Sequence, residues 1–530
     1  MSEQAVADDG VTVTPPTTSA QLRMLRGDST RYLCAGVYLD AEFRDAILHQ
    51  LLGRQDRAVA PSFTTDAVPV VRHALHARHR QVVRDAVLTG VLVLLLVLEG
   101  RNLLAVVALY GAGLLTLRAL RALAGLRMVA FIAQVFFALV AVLVAALLVQ
   151  SNSDLLSSLT GSSSYDSGFS VKVFAGLAAA VFVLLVGVAW AAIVLERLAN
   201  RQMIVEHLRP KAFSPDNAPP EPPARQARVR YITEAQTGNV AYYSTTAADR
   251  PFVGAGTPME PWTLAVPLVP AGDGSETLAM TTESLEDAIS LALAGLNPSD
   301  DAAGDEVSVQ SRLVTPGTLR TGDPLLDPQS GLPRPRISLD EMHDLAAAET
   351  TGTNRYLCVR MSPRRADYEI WVFLHGQIQG RMLHLEMIGS CVPPVRAAFR
   401  EIDTYSDLDN TLLLRNAFRS LLDLPGLLIR SPLRLLRAAA GPGSRAVDLR
   451  SVLGHLASTA TPDRGAQTSV RELGTDPTSP DGLGNLTLQR QIRIIERHVI
   501  ETITAAMEQA GFVTEEFIRR TQTIPDGPAR

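Results

Sequence analysis

Two stretches of this chain carry no charge at all: Met128–Val149 (MVAFIAQVFFALVAVLVAALLV) and Val173–Leu195 (VFAGLAAAVFVLLVGVAWAAIVL), 22 and 23 residues long. About 20 apolar residues in a helix cross the hydrocarbon core of a bilayer, so residues 128–149 and 173–195 read as transmembrane helices. Ahead of them lie two shorter apolar runs, Ala86–Leu98 and Leu103–Leu117, joined by Glu99-Gly100-Arg101-Asn102. At roughly 1.5 Å per residue each reaches only about 20 Å. Residues 86–117 therefore read as a short hydrophobic hairpin with a polar turn. It is either two short spans with snorkelling arginines or a loop that dips into the membrane and returns.

Orientation follows from the positive residues in the short flanks. Arg72, Arg78, Arg80 and Arg84 precede the first run, Arg118, Arg121 and Arg127 follow the second, and Arg197, Arg201, Arg209 and Lys211 follow the last. The loop 151–170 has neither Lys nor Arg. Both termini are therefore expected in the cytoplasm of a bacterial cell, the chain being multi-pass. Residues 71–85 read as a basic juxtamembrane helix. Arg72, Arg78, Arg80, Arg84, Arg118, Arg121, Arg127, Arg197 and Arg201 are the chain's membrane-surface candidates, resting on anionic headgroups. His73, His76 and His79, spaced by three, spread over about 120° of a helix and do not match a helical zinc pair at i, i+4. No metal is expected there.

The long runs contain no ionisable residue, Gln134 being their one strongly polar side chain, so a transport pathway is not indicated. Gly176 with Ala180, and Gly187 with Ala191, read as helix-packing faces. A channel or pore is the alternative, with Glu99, Arg101 and Gln134 as its polar groups.

Outside the apolar runs, the 530 residues divide readily. Residues 1–27 are polar and read as a disordered tail. Residues 28–70 read as a small N-terminal α/β lobe, with a strand at Arg31–Val37 and an amphipathic helix at Ala41–Leu52 capped by Asp40. Residues 210–226 form a Pro-rich linker. Residues 227–530 read as a cytoplasmic α+β domain, its strands mostly antiparallel, with a mobile acidic and Pro/Gly-rich insertion at 297–336. Strands are expected at Arg228–Ile232, Val240–Thr245, Trp262–Val269, Arg355–Met361, Tyr368–His375 and Arg381–Ile388. Helices are expected at Thr282–Leu296 and Leu486–Gln509. A further helix starts at Ser431-Pro432. Arg430, Arg434 and Arg437 fall on one of its faces, as a second membrane contact or as the cap of a domain core. The fold class is thus an α-helical membrane bundle joined to an α+β soluble domain.

Catalytic signatures are missing. Cys34, Cys358 and Cys391 are far apart, and the first and second each end an RYLC tetrapeptide, as buried core thiols do. FVGAGT (Phe252–Thr257) has GxG without the third glycine, so a tight turn explains it better than dinucleotide binding. Asp403, Asp407 and Asp409 read as capping or solvated carboxylates, and His375 and His384 as edge-strand histidines. No catalytic residue, cofactor or metal site is expected, and the chain does not read as an enzyme.

RYLCAGVYLDAEFRDAIL (Arg31–Leu48), FVGAGT followed by Trp262, GAQTSVRELGTD (Gly465–Asp476) and IRIIERHVIETI (Ile492–Ile503) resemble segments of uncharacterised actinobacterial multi-pass membrane proteins with a large cytoplasmic domain. That resemblance implies a bacterial cytoplasmic-membrane origin and carries no functional residues. The expected function is a non-enzymatic membrane anchor and docking platform. Its cytoplasmic domain would recruit a cytosolic protein or large assembly, for example a secretion or contractile injection apparatus. Expected partners are membrane lipids, that cytoplasmic protein or complex, and a second copy of the chain; nucleic acid is not expected. A channel and a ligand-sensing membrane protein remain the alternatives.

Overall fold

A computed structural model describes residues 28–62, 65–124, 167–247, 250–259, 261–271, 280–295, 306–348, 352–362, 368–405, 410–439, 462–476 and 482–522. The expected span 128–149, the tail 1–27 and Arg127 lie outside them. The chain divides into two compact units. The first is drawn from Met1–Leu75, Glu206–Tyr405 and Pro442–Arg530, the second from His76–Val205 and Ser406–Gly441. The N-terminal lobe is therefore part of the same unit as the C-terminal sheet.

In chain order the longer helices among the described residues are α1 (Asp28–Leu39), α2 (Ala41–Leu48), α3 (Ala67–Ala124), α4 (Ser167–His207), α5 (Gln226–Ala235), α6 (Thr282–Ala294), α7 (Leu339–Ala347), α8 (Asn410–Ala439), α9 (Gly482–Gln509) and α10 (Glu515–Thr521). The strands are β1 (Val240–Tyr243), β2 (Thr257–Pro258), β3 (Trp262–Pro267), β4 (Glu306–Pro316), β5 (Asn354–Ser362), β6 (Glu369–Gln379) and β7 (Met382–Val392).

The strands form one curled mixed sheet, a half-barrel, in the order β1-β4-β5-β6-β7-β2, with β3 also on β7. The β1–β4 pair is parallel, Val240 opposite Leu313. The other pairs are antiparallel. Because side chains alternate along a strand, the sheet has two distinct faces. Leu357, Val359, Met361, Ile370, Val372 and Leu374 share one face with Leu285 and Ile289 of α6 and Ile495, Val499 and Ile503 of α9. Tyr356, Cys358, Trp371, Phe373 and Ile388 lie on the other with Phe252.

Several expectations need correction. Arg31–Val37 is helical, not a strand, so the regular elements of the lobe among the described residues are helices. Its residues are buried almost continuously, and an unbroken apolar run has no period to tell strand from helix. Arg228–Ile232 is also helical. Arg228 and Ile232 are buried i, i+4, and the Arg/Val alternation misleads because Arg228 points inward. The insertion 297–336 contains β4, paired with both β1 and β5. Glu99–Asn102 makes no turn, since α3 runs through it without a break, so residues 86–117 form no hairpin. Glu and Arg are good helix formers, and the stretch contains no proline to stop the helix. Residues 210–226 carry two short 3₁₀ turns, and Glu221 accepts from Arg72 at 3.1 Å. Ser431-Pro432 lies inside α8. Pro432 cannot supply the amide that would bond Leu428 O, and Ser431 Oγ donates to that carbonyl at 2.8 Å instead.

Other expectations are met. Asp40 caps α2, its Oδ1 accepting from the Glu42 and Phe43 amides. Thr281 caps α6 with a full capping box. Strands occupy Val240–Tyr243, Trp262–Pro267, Asn354–Ser362, Glu369–Gln379 and Met382–Val392.

Candidate functional site

Within the first unit, three loops meet over the Trp371 face of the sheet. Phe252 stacks on Phe373 with centroids 4.0 Å apart, and its edge meets Tyr356 at 5.0 Å. The following glycines, Gly254 and Gly256, take φ of +99° and +85°, open to glycine at little cost. A Cβ on Gly256 would stand 2.0 Å from Cys391 O. This geometry turns two amides towards Glu472, whose Oε1 accepts from Gly254 N at 2.9 Å and Gly256 N at 3.0 Å. Glu472 Oε2 accepts from Ser469 N at 2.8 Å, closing a capping box. The GxG loop is thus an anion-binding turn already filled by a carboxylate of the chain itself. FVGAGT and GAQTSVRELGTD, far apart in sequence, are two halves of one lock.

Beside this lock is a shallow recess, partly open to solvent, lined by Pro61, Phe252, Gly254, Arg312, Trp371 and Phe373 among others. Arg312 lies 5.5 Å over the Trp371 ring. Burial, reinforced by Arg360, pushes its guanidinium down to about 10. Arg360 Nε donates to Ser308 Oγ at 3.2 Å, and Arg471 Nε lies 3.7 Å from Glu369 Oε1. Burial pushes the Glu369 carboxyl up, against the pull of Arg471 and Arg360. Sequence reasoning passed over all four of these ionic residues. The signal for them was Arg312 and Arg360 at positions that a half-buried strand would give to apolar residues.

The remaining candidates fall as follows. Arg31 and Tyr32 both hold Asp403, at 2.6 Å each, and Asp407 and Asp409 lie outside the described residues. His375 sits on β6, an interior strand rather than an edge, with Nδ1 2.8 Å from Arg355 O. His384, on β7, pairs across to Gln377 and Ala265 and is likewise interior. Cys34 and Cys358 are buried, and burial raises both thiols. His73 is buried with Nδ1 3.0 Å from the Tyr38 hydroxyl, whereas His79 is exposed, so the three histidines do not converge. Among the described residues no group of three or more His, Cys, Asp or Glu is placed to hold a metal.

The second unit has a different surface. One helix among the described residues, Ala180–His207, is long and apolar enough to cross a membrane, with a mean hydropathy of 2.2 and only 11% of its most apolar window buried. It packs on α3 and α8 through Ala189 and Ile193 against Leu88, Val91, Leu95, Leu424 and Leu428. Ala180 and Gly187 are not on that packed face. Both are exposed, a Cβ on Gly187 would meet nothing within 4 Å, and Ala191 is half-buried. The side chain environment of residue 176 lies outside the described part.

Several arginines of the basic collar make contacts with protein groups. Arg84, about 10% exposed, bridges Asp85 and Glu196 at 2.6 Å each. Arg197 bonds Asp423 at 2.6 Å and Ser420 at 3.0 Å, and Arg80 bonds Asn200 at 3.4 Å. Arg72, in the first unit, holds Glu221. These guanidinia have protein partners, as a part-buried charge needs. Arg78 and Arg201 are half-buried. Arg118 and Arg121 lie in α3, where only the backbone is described.

These features define a class: a curled mixed-sheet unit interleaved in sequence with a helical unit that bears an apolar helix of membrane-spanning length. Residues 261–528 match the AbeC-like domain, and the chain belongs to the AbeC-like domain family. No curated protein and no solved structure matches the chain.

Proposed function

We propose that the protein is a non-enzymatic, multi-pass membrane anchor of a bacterial cytoplasmic membrane. The second unit holds it in the bilayer, and the first docks a cytosolic protein or large assembly, of which a secretion or contractile injection apparatus is one version. The observation that carries this reading is where apolar surface is left uncovered. Most exposed large apolar side chains among the described residues belong to the second unit, including Val93, Leu94, Val97, Val183, Leu184 and Leu195. Contiguous exposed apolar surface marks a membrane or protein contact. The first unit, by contrast, buries its apolar residues around the sheet in the ordinary way.

The test is crosslinked affinity purification of the full chain from its native membrane. A cytosolic assembly in fixed stoichiometry is expected. Recovery of the chain with only copies of itself would contradict the docking half of the proposal.

A further inference from the structure

Helix α8 has three faces. Ser420, Leu424, Leu428 and Ser431 are buried. Leu424 and Leu428 pack on α3 and α4, the Trp190 indole donates to Ala417 O at 2.9 Å, and Arg197 pairs with Asp423. A second face carries Phe418, Leu422, Ile429, Leu433 and Leu436, spaced by four, seven, four and three, so that they form one stripe at 3.6 residues per turn. All are exposed, Phe418 to 64% and Leu436 to 69%. Along one border of the stripe run Arg415, Arg419, Arg430, Arg434 and Arg437.

The height of α8 on α4 is set by its partners. Trp190 and Ile193 belong to the end of the apolar run 173–195, and Arg197 is the first arginine beyond it. On the reading of α4 as a span, a helix fixed at that level lies where acyl chains give way to headgroups; Val183, Leu184 and Val188 of α4 are exposed as well.

We infer that α8 is an interfacial helix that lies in the bilayer surface, its Phe/Leu/Ile stripe among acyl chains and its arginine border on anionic headgroups. The occupant of this face is lipid. An exposed apolar stripe bordered by arginines is the pattern by which amphipathic helices bind anionic membranes. The inference rests on the reading of α4 as a span, and its test separates the two.

The full chain is placed in phosphatidylcholine vesicles with and without phosphatidylglycerol, labelled with a fluorophore at Leu433→Cys or, separately, at Leu184→Cys. Cys34 and Cys358 are buried, and label on the parent protein sets the background from Cys391. Lipids carrying a nitroxide near the headgroup should quench the Leu433→Cys probe several-fold more than aqueous iodide does. The Leu184→Cys probe should respond to a nitroxide deep in the chain. If Leu184→Cys responds to lipid but Leu433→Cys to iodide, the interfacial helix is wrong and the span stands. If both respond to iodide, the span itself is wrong. A Leu433→Cys probe shielded from both quenchers means that protein covers the stripe, which also overturns the inference. Phosphatidylglycerol should deepen the Leu433→Cys response, and Arg430→Gln/Arg434→Gln/Arg437→Gln should abolish that dependence. A response indifferent to phosphatidylglycerol in the parent overturns the headgroup contact.

Discussion

Glu472 shows how one side chain can decide what a motif does. The paired amides of Gly254 and Gly256 would suit a phosphate, yet the Glu472 carboxylate takes both. Replacing it leaves inward-turned donors without an acceptor, which costs about 1–3 kcal/mol each when buried. Glu472→Ala should therefore destabilise the first unit by about 3 kcal/mol, and Glu472→Gln, which keeps one acceptor oxygen, by about half as much. Urea denaturation followed by tryptophan fluorescence orders the two; equal effects would count against the lock. Glu286 poses a titration instead. Burial pushes its carboxyl up to about 7 despite contact with Arg355. The folded state then holds a proton that the unfolded state has released above about 4.5, so stability falls as pH rises from about 4.5 to about 7 and is level above that window. Glu369, also pushed up, adds a slope of the same sign. The difference between the parent and Glu286→Gln isolates Glu286: the parent should lose stability relative to the variant across that window. A constant difference would remove Glu286 as the cause.

Elements answer to surroundings more than to local sequence. The tetrapeptide RYLC occurs twice, as helix in α1 and as strand in β5. In β5 it alternates, Arg355 pairing with Glu286 of α6 while Tyr356 meets Phe252 edge-on on the opposite face. In α1 it is wrapped on all sides, and Gly36, two residues beyond, lets the Phe399 ring approach to where a Cβ would lie 2.7 Å away. The strands β5, β6 and β7 and the capped helices α2 and α6 were legible because alternation and Asx/Thr caps are local signals. Helix α5 was not, because its key residue is an arginine turned inward. Arg228 donates to the carbonyls of Leu51, Arg54, Gln55 and Arg57 at 2.8 to 3.2 Å, stitching the N-terminal lobe to α5. A lysine cannot reproduce that fork. Arg228→Lys should speed amide exchange over residues 41–58 at least tenfold while β5, β6 and β7 stay protected; uniform loosening would mean that the contact belongs to the global core.

At the scale of the whole molecule, sequence order and spatial order part company. The apolar helices interrupt a single unit, so that residues 28–75 fold with residues 206–405. α8, far along the chain, belongs instead with α3 and α4. Composition located the apolar helix and the main strands, but it could not show that the lobe and the sheet are one body. Their links, Arg31 to Asp403, Arg396 to Asp40 and Arg228 to the 51–57 carbonyls, join residues more than 170 positions apart. Because these links tie residues 28–75 to the sheet, docking is to be tested on the full chain.

The central claim is that the second unit holds this protein in a bilayer. Alkaline carbonate extraction of membranes from cells expressing the full chain, followed by flotation of the pellet through a density gradient, tests it most directly. The predicted result is that the protein stays with the pellet and floats with lipid. Release into the alkaline supernatant, or a pellet that sinks free of lipid, would contradict it.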